Sequence, residues 1–361
     1  MKGLFYMHFY QLLQLDPLTL KQKIHDVDNK KQKLQLIACL FIRAILLVSF
    51  AIFWISSLNF IFGKDISSFS LILFCILLTL RFVPFGYRVG HSLVGLGIVF
   101  IILWLAPFIS LIAYPFIQFI LHFICLLLLF FITGKEPQMG NPGLYSFSYL
   151  YLIGTVHYIS NTQVVHSFFI LLFSYGLFAI IFYHKHKFSN ENISFIHIIK
   201  ENRHINNKNI WYFYYAFGIS LLLFLGTYLR IDRFMWSTFA CSSLFSGYNT
   251  FKISERAKER VIGIFGGSIL SGLLLLLIPT NYLGILGGIC LGFCATYQNK
   301  TILNCIGAIT SATLIFGLKT TVLLRITLNL LGVGYAFLYH LIFVNITGSL
   351  MKKGKKRLGK N

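Results

Sequence analysis

Apolar residues run through this chain in long stretches, and short polar interruptions cut them into twelve segments. Six lie in the first half, at about 36–62, 67–84, 89–106, 107–133, 144–160 and 163–184. Six more follow a polar linker at 185–208, at about 209–229, 233–250, 260–278, 282–298, 301–318 and 321–348. Stretches of roughly 17 to 25 apolar residues match a hydrocarbon core about 30 Å thick. Helices are the expected form, because a spanning segment must satisfy its own backbone hydrogen bonds. The ten-residue alternation of a membrane barrel is absent from the sequence. The pattern predicts an all-α polytopic membrane protein of about twelve transmembrane helices in two six-helix halves, 36–184 and 209–348. A polar segment (1–35) precedes them and a basic tail (349–361) follows. Pro107 and Pro115 both fall in 107–133, which is read as one kinked span.

Composition agrees. Hydrophobic residues make up 57% and charged residues 11%, with a mean hydropathy of +0.76, whereas about a quarter of residues are charged in soluble domains. The first apolar run is too long for a signal-peptide core and is expected to remain as a span. The net charge of +21 would suit a nucleic-acid binder, but the charges follow the interruptions between apolar runs, which argues against nucleic acid as a partner. With the N-terminus placed in the cytoplasm, the inner loops and tail hold every Lys and Arg except Lys64, Arg230, Arg233, Lys319, Arg43 and Arg325. That is the asymmetry of the positive-inside rule. It predicts a multi-pass protein of the plasma membrane, the inner membrane of a bacterium, with both termini cytoplasmic. The basic tail and the loop from Lys252 to Arg260 lie where anionic lipid headgroups would attract them. Membrane lipids are thus expected partners, and oligomeric state is not readable.

The halves carry a faint repeat. Arg88 and Gly95 recur as Arg256 and Gly263, 168 residues later at the same spacing. With six spans in each half, both halves start on the cytoplasmic side, so the repeats are parallel and related by an axis along the membrane normal. The better preserved copy, RFMWSTFACSSLFSGYNTFKISERAKERVIGIFGGSILSG, joins an aromatic-tryptophan start, a short span, a basic turn ending in Arg and a glycine-rich span. This segment resembles the fusaric acid resistance and aromatic acid exporter families, with Ile264 standing where those proteins often have Thr. The resemblance implies two six-helix halves and export of aromatic carboxylates and related small organic anions. The plant aluminium-activated malate transporters, which act as anion channels, are a related group. A passive anion channel is therefore the alternative, and a non-transporting membrane partner or a factor handling lipid-linked envelope precursors is the third reading.

Arg325 and Arg43 are the least expected residues within spans, since a charge near the bilayer centre costs about 2.5 to 3.5 kcal/mol on the insertion scale. Arg325 with Asn329, one turn on along the same face, supplies charge and hydrogen bonds for an anion pathway; Arg43 and Trp236 are the further pathway candidates. Snorkelling of the arginines and interfacial anchoring of the tryptophan are the competing structural roles. Arg256, Arg260 and Arg88 are assigned to a cytoplasmic mouth. Gly263, Gly266, Gly267 and Gly95 are assigned to close helix packing. All ten acidic residues lie outside the spans or at their edges, which leaves His157, His166 and His340 as candidates for proton relay. The seven cysteines sit in apolar runs without the spacing of a metal site. No nucleotide-binding loop, metal-ligand cluster or nucleophile motif occurs, so neither a cofactor nor a metal nor an enzymatic activity is expected.

Overall fold

A computed structural model describes residues 9–156, 158, 160–196, 206–231, 233–248 and 253–358. Among the described residues, two short helices, α1 (Phe9–Gln14) and α2 (Pro17–Asp26), precede twelve longer ones. In the first half these are α3 (Lys30–Phe62), α4 (Ser67–Leu80), α5 (Val89–Ile109), α6 (Pro115–Thr133), α7 (Asn141–Thr155) and α8 (Asn161–His186). In the second they are α9 (Asn207–Tyr228), α10 (Met235–Phe245), α11 (Ile253–Leu277), α12 (Thr280–Gly292), α13 (Tyr297–Phe316) and α14 (Leu318–Leu358). No strand occurs among the described residues.

A helix thus lies at each of the twelve apolar stretches, and among the described residues seven are both long and apolar enough to cross a membrane: α3, α5, α6, α8, α9, α11 and α14. The shortest are α10, with 11 residues, and α12, with 13. At 1.5 Å per residue these measure about 16 and 20 Å, well short of the hydrocarbon core. The prolines also act differently from the expected kink. Pro107 falls in the last turn of α5, and Pro115 opens α6 at a position where a missing N–H costs nothing. The break therefore lies at 110–114, and 107–133 is not one continuous helix.

The chain divides into two compact units, residues 1–54 with 258–327 and residues 55–257 with 328–361. The division cuts α3, α11 and α14 along their length and differs from the two sequence halves.

In the second unit α5 packs on α6, α7 and α8, α9 packs on α6 and α10, and α7 packs on α4 and α10. Its centre is aromatic: Tyr87, Tyr145, Tyr149, Tyr215, Phe69, Phe85, Phe130 and Phe178 are almost wholly buried. In the first unit α1 and α2 fold back on the start of α3, where Leu20, Leu36, Cys39 and Leu40 form a cluster with Leu12, Leu13, Ile24 and Phe293. Asp16 caps α2, accepting hydrogen bonds from the Leu18 and Thr19 amides at 2.9 and 3.0 Å. The Thr19 hydroxyl and these amides hold its carboxyl below the usual value.

Also in this unit, α11 and α13 run side by side in the same direction, since successive levels pair Arg260 with Tyr297, Gly263 with Thr301 and Gly267 with Ile302 and Cys305. The α12 helix, which joins them in sequence, packs on α13 and lays Gly288 and Gly292 against Val48 and Ala44 of α3. Gly317, at φ +74°, then turns the chain from α13 into α14 within one residue, a conformation that favours glycine. That tight turn sets Arg325 two helical turns into α14.

Candidate functional site

Small residues bring α11 and α13 close. A Cβ on Gly263 would lie 2.9 Å from Thr301 Cβ, and one on Gly267 would lie 2.6 Å from the Ile302 carbonyl oxygen. Thr296 starts α13 by accepting from the Asn299 amide at 3.3 Å, which places Tyr297 at the helix's first position. There its hydroxyl accepts from Arg260 Nη1 at 3.2 Å. Arg260 is buried, with 8% of its surface exposed. Two turns further along α11, at the level of Gly267, the Cys305 sulfur takes a hydrogen bond from Ser268 Oγ at 3.8 Å and gives one to the Thr301 carbonyl at 3.3 Å.

Arg325 of α14 enters at this level. It is 7% exposed, and its helix neighbours Val322 and Ile326 pack against the cluster that contains Cys305. Around Cys305 the wall is aliphatic, from Ile264 and Ile309 with Val322 and Ile326 packed against them. The hydroxyls nearby bond their own helices: Thr301 to the Tyr297 carbonyl at 2.9 Å, Ser271 to Gly267 at 2.6 Å and Thr310 to Ile306 at 2.8 Å. The first unit thus buries two arginines and a phenol among aliphatic side chains and hydroxyls, and buried guanidinium groups of this kind are costly unless they are engaged.

Of the three arginines assigned from sequence to a cytoplasmic mouth, Arg260 falls in the first unit and Arg256 and Arg88 in the second. Arg256, one turn before Arg260, belongs to the second unit. Its Nη2 donates to the Ser243 carbonyl at 2.6 Å, satisfying an end carbonyl of α10. The guanidinium lies so close over Gly247 that any side chain there would collide with it. Arg88 is exposed at the start of α5, and its amide bonds the Ile193 carbonyl at 2.9 Å. Arg43 is half-buried in α3, with Cys39 within its electrostatic reach.

Asn329 and Trp236 are both buried in the second unit. Between them in sequence, Ser237 Oγ donates to the Leu328 carbonyl at 2.7 Å, and Gly332 meets the Ser237 backbone so closely that a Cβ would lie 2.2 Å from its carbonyl oxygen. Burial of Trp236 places it in the packing of α10 rather than at an exposed anchor. A Cβ on Gly95 would lie 2.6 Å from the Tyr87 hydroxyl and 3.0 Å from Ile132 Cγ2. Gly266 faces outward with nothing within 4 Å, because it is turned about 100° from Gly267 on the helix.

Of the histidines, His340 Nδ1 pairs with the Tyr214 hydroxyl at 3.3 Å, His166 lies by Gly63, and His157 is outside the described residues. No group of three or more metal-ligating side chains occurs among the described residues. Tyr297 and Cys305 were not singled out from sequence; their alignment with Arg260 and Arg325 depends on helix packing, and only the glycine spacing on α11 hinted at it.

Seven long apolar helices with charged residues sunk among them define a multi-pass α-helical membrane protein. Within that class, residues 219–339, from α9 into α14, match the model of the family described as fusaric acid resistance protein-like, and over this stretch the resemblance read from the basic turn is upheld. The matched stretch contains Arg260, Tyr297, Cys305 and Arg325. No curated protein and no solved structure shows a significant match to the chain. The family suggests a role in membrane transport.

Proposed function

We propose that this protein exports small organic anions, with aromatic carboxylates the first class to try, across the inner membrane of a bacterium. The observation that carries the proposal is the burial of Arg260 and Arg325 within the stretch that matches the family. A buried guanidinium is expensive to keep in a membrane and marks ion pathways in such proteins. In this reading the five shorter or less apolar helices complete twelve crossings, the two halves are parallel repeats, and both termini face the cytoplasm. The test is efflux of a panel of aromatic and aliphatic acids from cells with and without the protein. Equal retention of every acid would refute export.

A passive anion channel is the second reading, and one observation favours it. Among the described residues no Asp or Glu is buried, so a membrane-embedded carboxylate for proton coupling is not among them. Anion current that persists after the proton gradient is collapsed supports the channel. Efflux that stops with the gradient supports a carrier.

A further inference from the structure

We propose that the segment after α8, residues 187–196, is a pH-responsive strap, held over the start of α5 by neutral His91 and released when that imidazole takes up a proton. The inference goes beyond the transport reading and does not depend on it.

Local geometry builds the strap. After α8 the Ser189 amide bonds the His186 carbonyl at 2.9 Å, and Asn190, at φ +55°, reverses the chain. Asparagine tolerates this left-handed backbone better than most residues. The Ile193 carbonyl then accepts from the Arg88 amide at 2.9 Å. Arg88 stands just before α5, where no side chain caps the helix, so the strap satisfies one of the amides that a helix start leaves over. Two residues on, the Phe195 amide donates to His91 Nδ1 at 3.1 Å. The Phe195 ring lies 5.2 Å from that of Tyr87 and 5.8 Å from that of Phe131 on α6. Tyr87 is itself fixed, its hydroxyl donating to the Ile132 carbonyl at 3.0 Å.

A backbone N–H can only donate, so His91 Nδ1 must present a lone pair, which means a neutral ring with its proton on Nε2. An incoming proton and the Phe195 amide therefore compete for one lone pair. Once the ring is charged both nitrogens donate, and the amide faces another N–H. Ser194 Oγ, 3.5 Å from Nδ1, is at the outer limit of a hydrogen bond and a weak substitute. Histidine is the residue type that changes charge between about pH 5 and 8. The geometry fixes the sign: the strap is held at higher pH and let go at lower pH.

The other titratable groups at this end of the second unit do not act in this way. His186 Nε2 donates to the Leu80 carbonyl at 2.8 Å, a bond that a charged ring keeps. Lys135, after α6, donates to the Gly86 carbonyl, and α7 carries no charged side chain. Arg81, Arg88 and Glu136, with His184 and Lys185 of α8 and Lys187 and Glu191 of the strap, are the remaining charges there. They can move the pH at which the strap opens, not the direction. Where the proposed orientation holds, this end faces the cytoplasm, and release would follow the acidification that weak organic acids cause on dissociating inside a cell.

The test is hydrogen exchange of the purified full chain in detergent, read by mass spectrometry on the peptide containing Phe195 and corrected for intrinsic rates, from pH 8 to pH 5.5. Exchange there should rise about three- to tenfold on acidification, as expected for the loss of one net hydrogen bond. His91→Gln should give slow exchange throughout, because an amide oxygen accepts at every pH, and His91→Ala fast exchange throughout. His186→Gln should leave the response in place.

A strap whose exchange ignores pH, or a response that persists in His91→Gln, overturns the latch. If His91→Ala fails to fold, the wild-type and His91→Gln curves still decide. Vesicle efflux separates the two readings. A pH-responsive strap in a protein that exports no acid leaves the latch and removes transport. Efflux with a pH-blind strap removes the latch and leaves transport.

Discussion

The two units bury polar groups in different ways. In the second unit, buried polarity includes neutral groups bonded to protein across helices, beside hydroxyls such as Thr133 and Ser148 that bond their own helix. Tyr215 and Ser242 pair at 2.7 Å, Ser242 and Ser146 at 3.0 Å, and Trp211 Nε1 donates to the Phe245 carbonyl at 3.0 Å. Even its Arg256 guanidinium serves a backbone carbonyl at the end of α10. In the first unit, Thr301, Ser271 and Thr310 satisfy their own helices, while Arg260 with Tyr297 and Ser268 with Cys305 bond across from α11 to α13. A hydroxyl bonded across helices is explained by packing. A buried arginine beside an aliphatic wall is not, because taking its charge out of water lowers stability. Stability and transport should therefore respond oppositely to substitution in the two units.

The largest effect is expected in the second unit. Gly332→Leu drives side-chain atoms into the Ser237 backbone and should cost about 3 kcal/mol or more, seen as loss of folded protein in size-exclusion profiles. A folded, stable variant would mean that α10 and α14 do not approach as described.

Next, Arg325→Gln should lower anion efflux by at least about tenfold while leaving the thermal unfolding midpoint unchanged or raised, since it removes a buried charge. A marked fall in the midpoint would make Arg325 a structural residue and abolish the contrast. Ser242→Ala should do the reverse. It leaves the Tyr215 and Ser146 hydroxyls short of a partner, at a cost of about 1 to 2 kcal/mol in stability, with the ranking of exported acids unchanged.

Smaller still is Gly266→Ala, outward-facing and uncrowded, which should change stability by no more than about 0.5 kcal/mol and raise it if it moves at all. The matched change Gly267→Ala, against the Ile302 backbone, should be clearly destabilising in the same assay. The smallest effect concerns the exposed cap of α2. The Asp16 carboxyl titrates lower in the folded chain than in the unfolded one, so its contribution is present at neutral pH and fades as pH falls through the folded value. Amide exchange in α2, corrected for intrinsic rates, should quicken at acid pH, and Asp16→Asn should remove most of that dependence.

The positions of the twelve longer helices were legible because apolar runs and breakers are local properties. Their reach was less so: α10 and α12 are cut short by turn residues that hydropathy averages over. Pro107 and Pro115 showed the limit of a breaker rule, since proline ends one helix and begins the next with equal ease. The burial of Arg325 was readable from a charge within an apolar run. The meeting of Arg260 with Tyr297 was not, because spacing along α11 relates Arg260 to Arg256 and Glu259 but says nothing of α13. Gly266 and Gly267 make the same point: composition assigns both to packing, and only the neighbouring helix distinguishes them.

The shortness of α12 has an electrical consequence. If its 13 residues, about 20 Å of helix, return the chain across the membrane, the bilayer beside them must thin to meet them. The same voltage then falls over less distance, and the field along the first unit is steeper than in the surrounding lipid. A cell interior held negative repels anions outward, at about 2.3 kcal/mol per charge for each 100 mV. A transporter built this way, moving anions outward as proposed, would draw on the membrane as a battery.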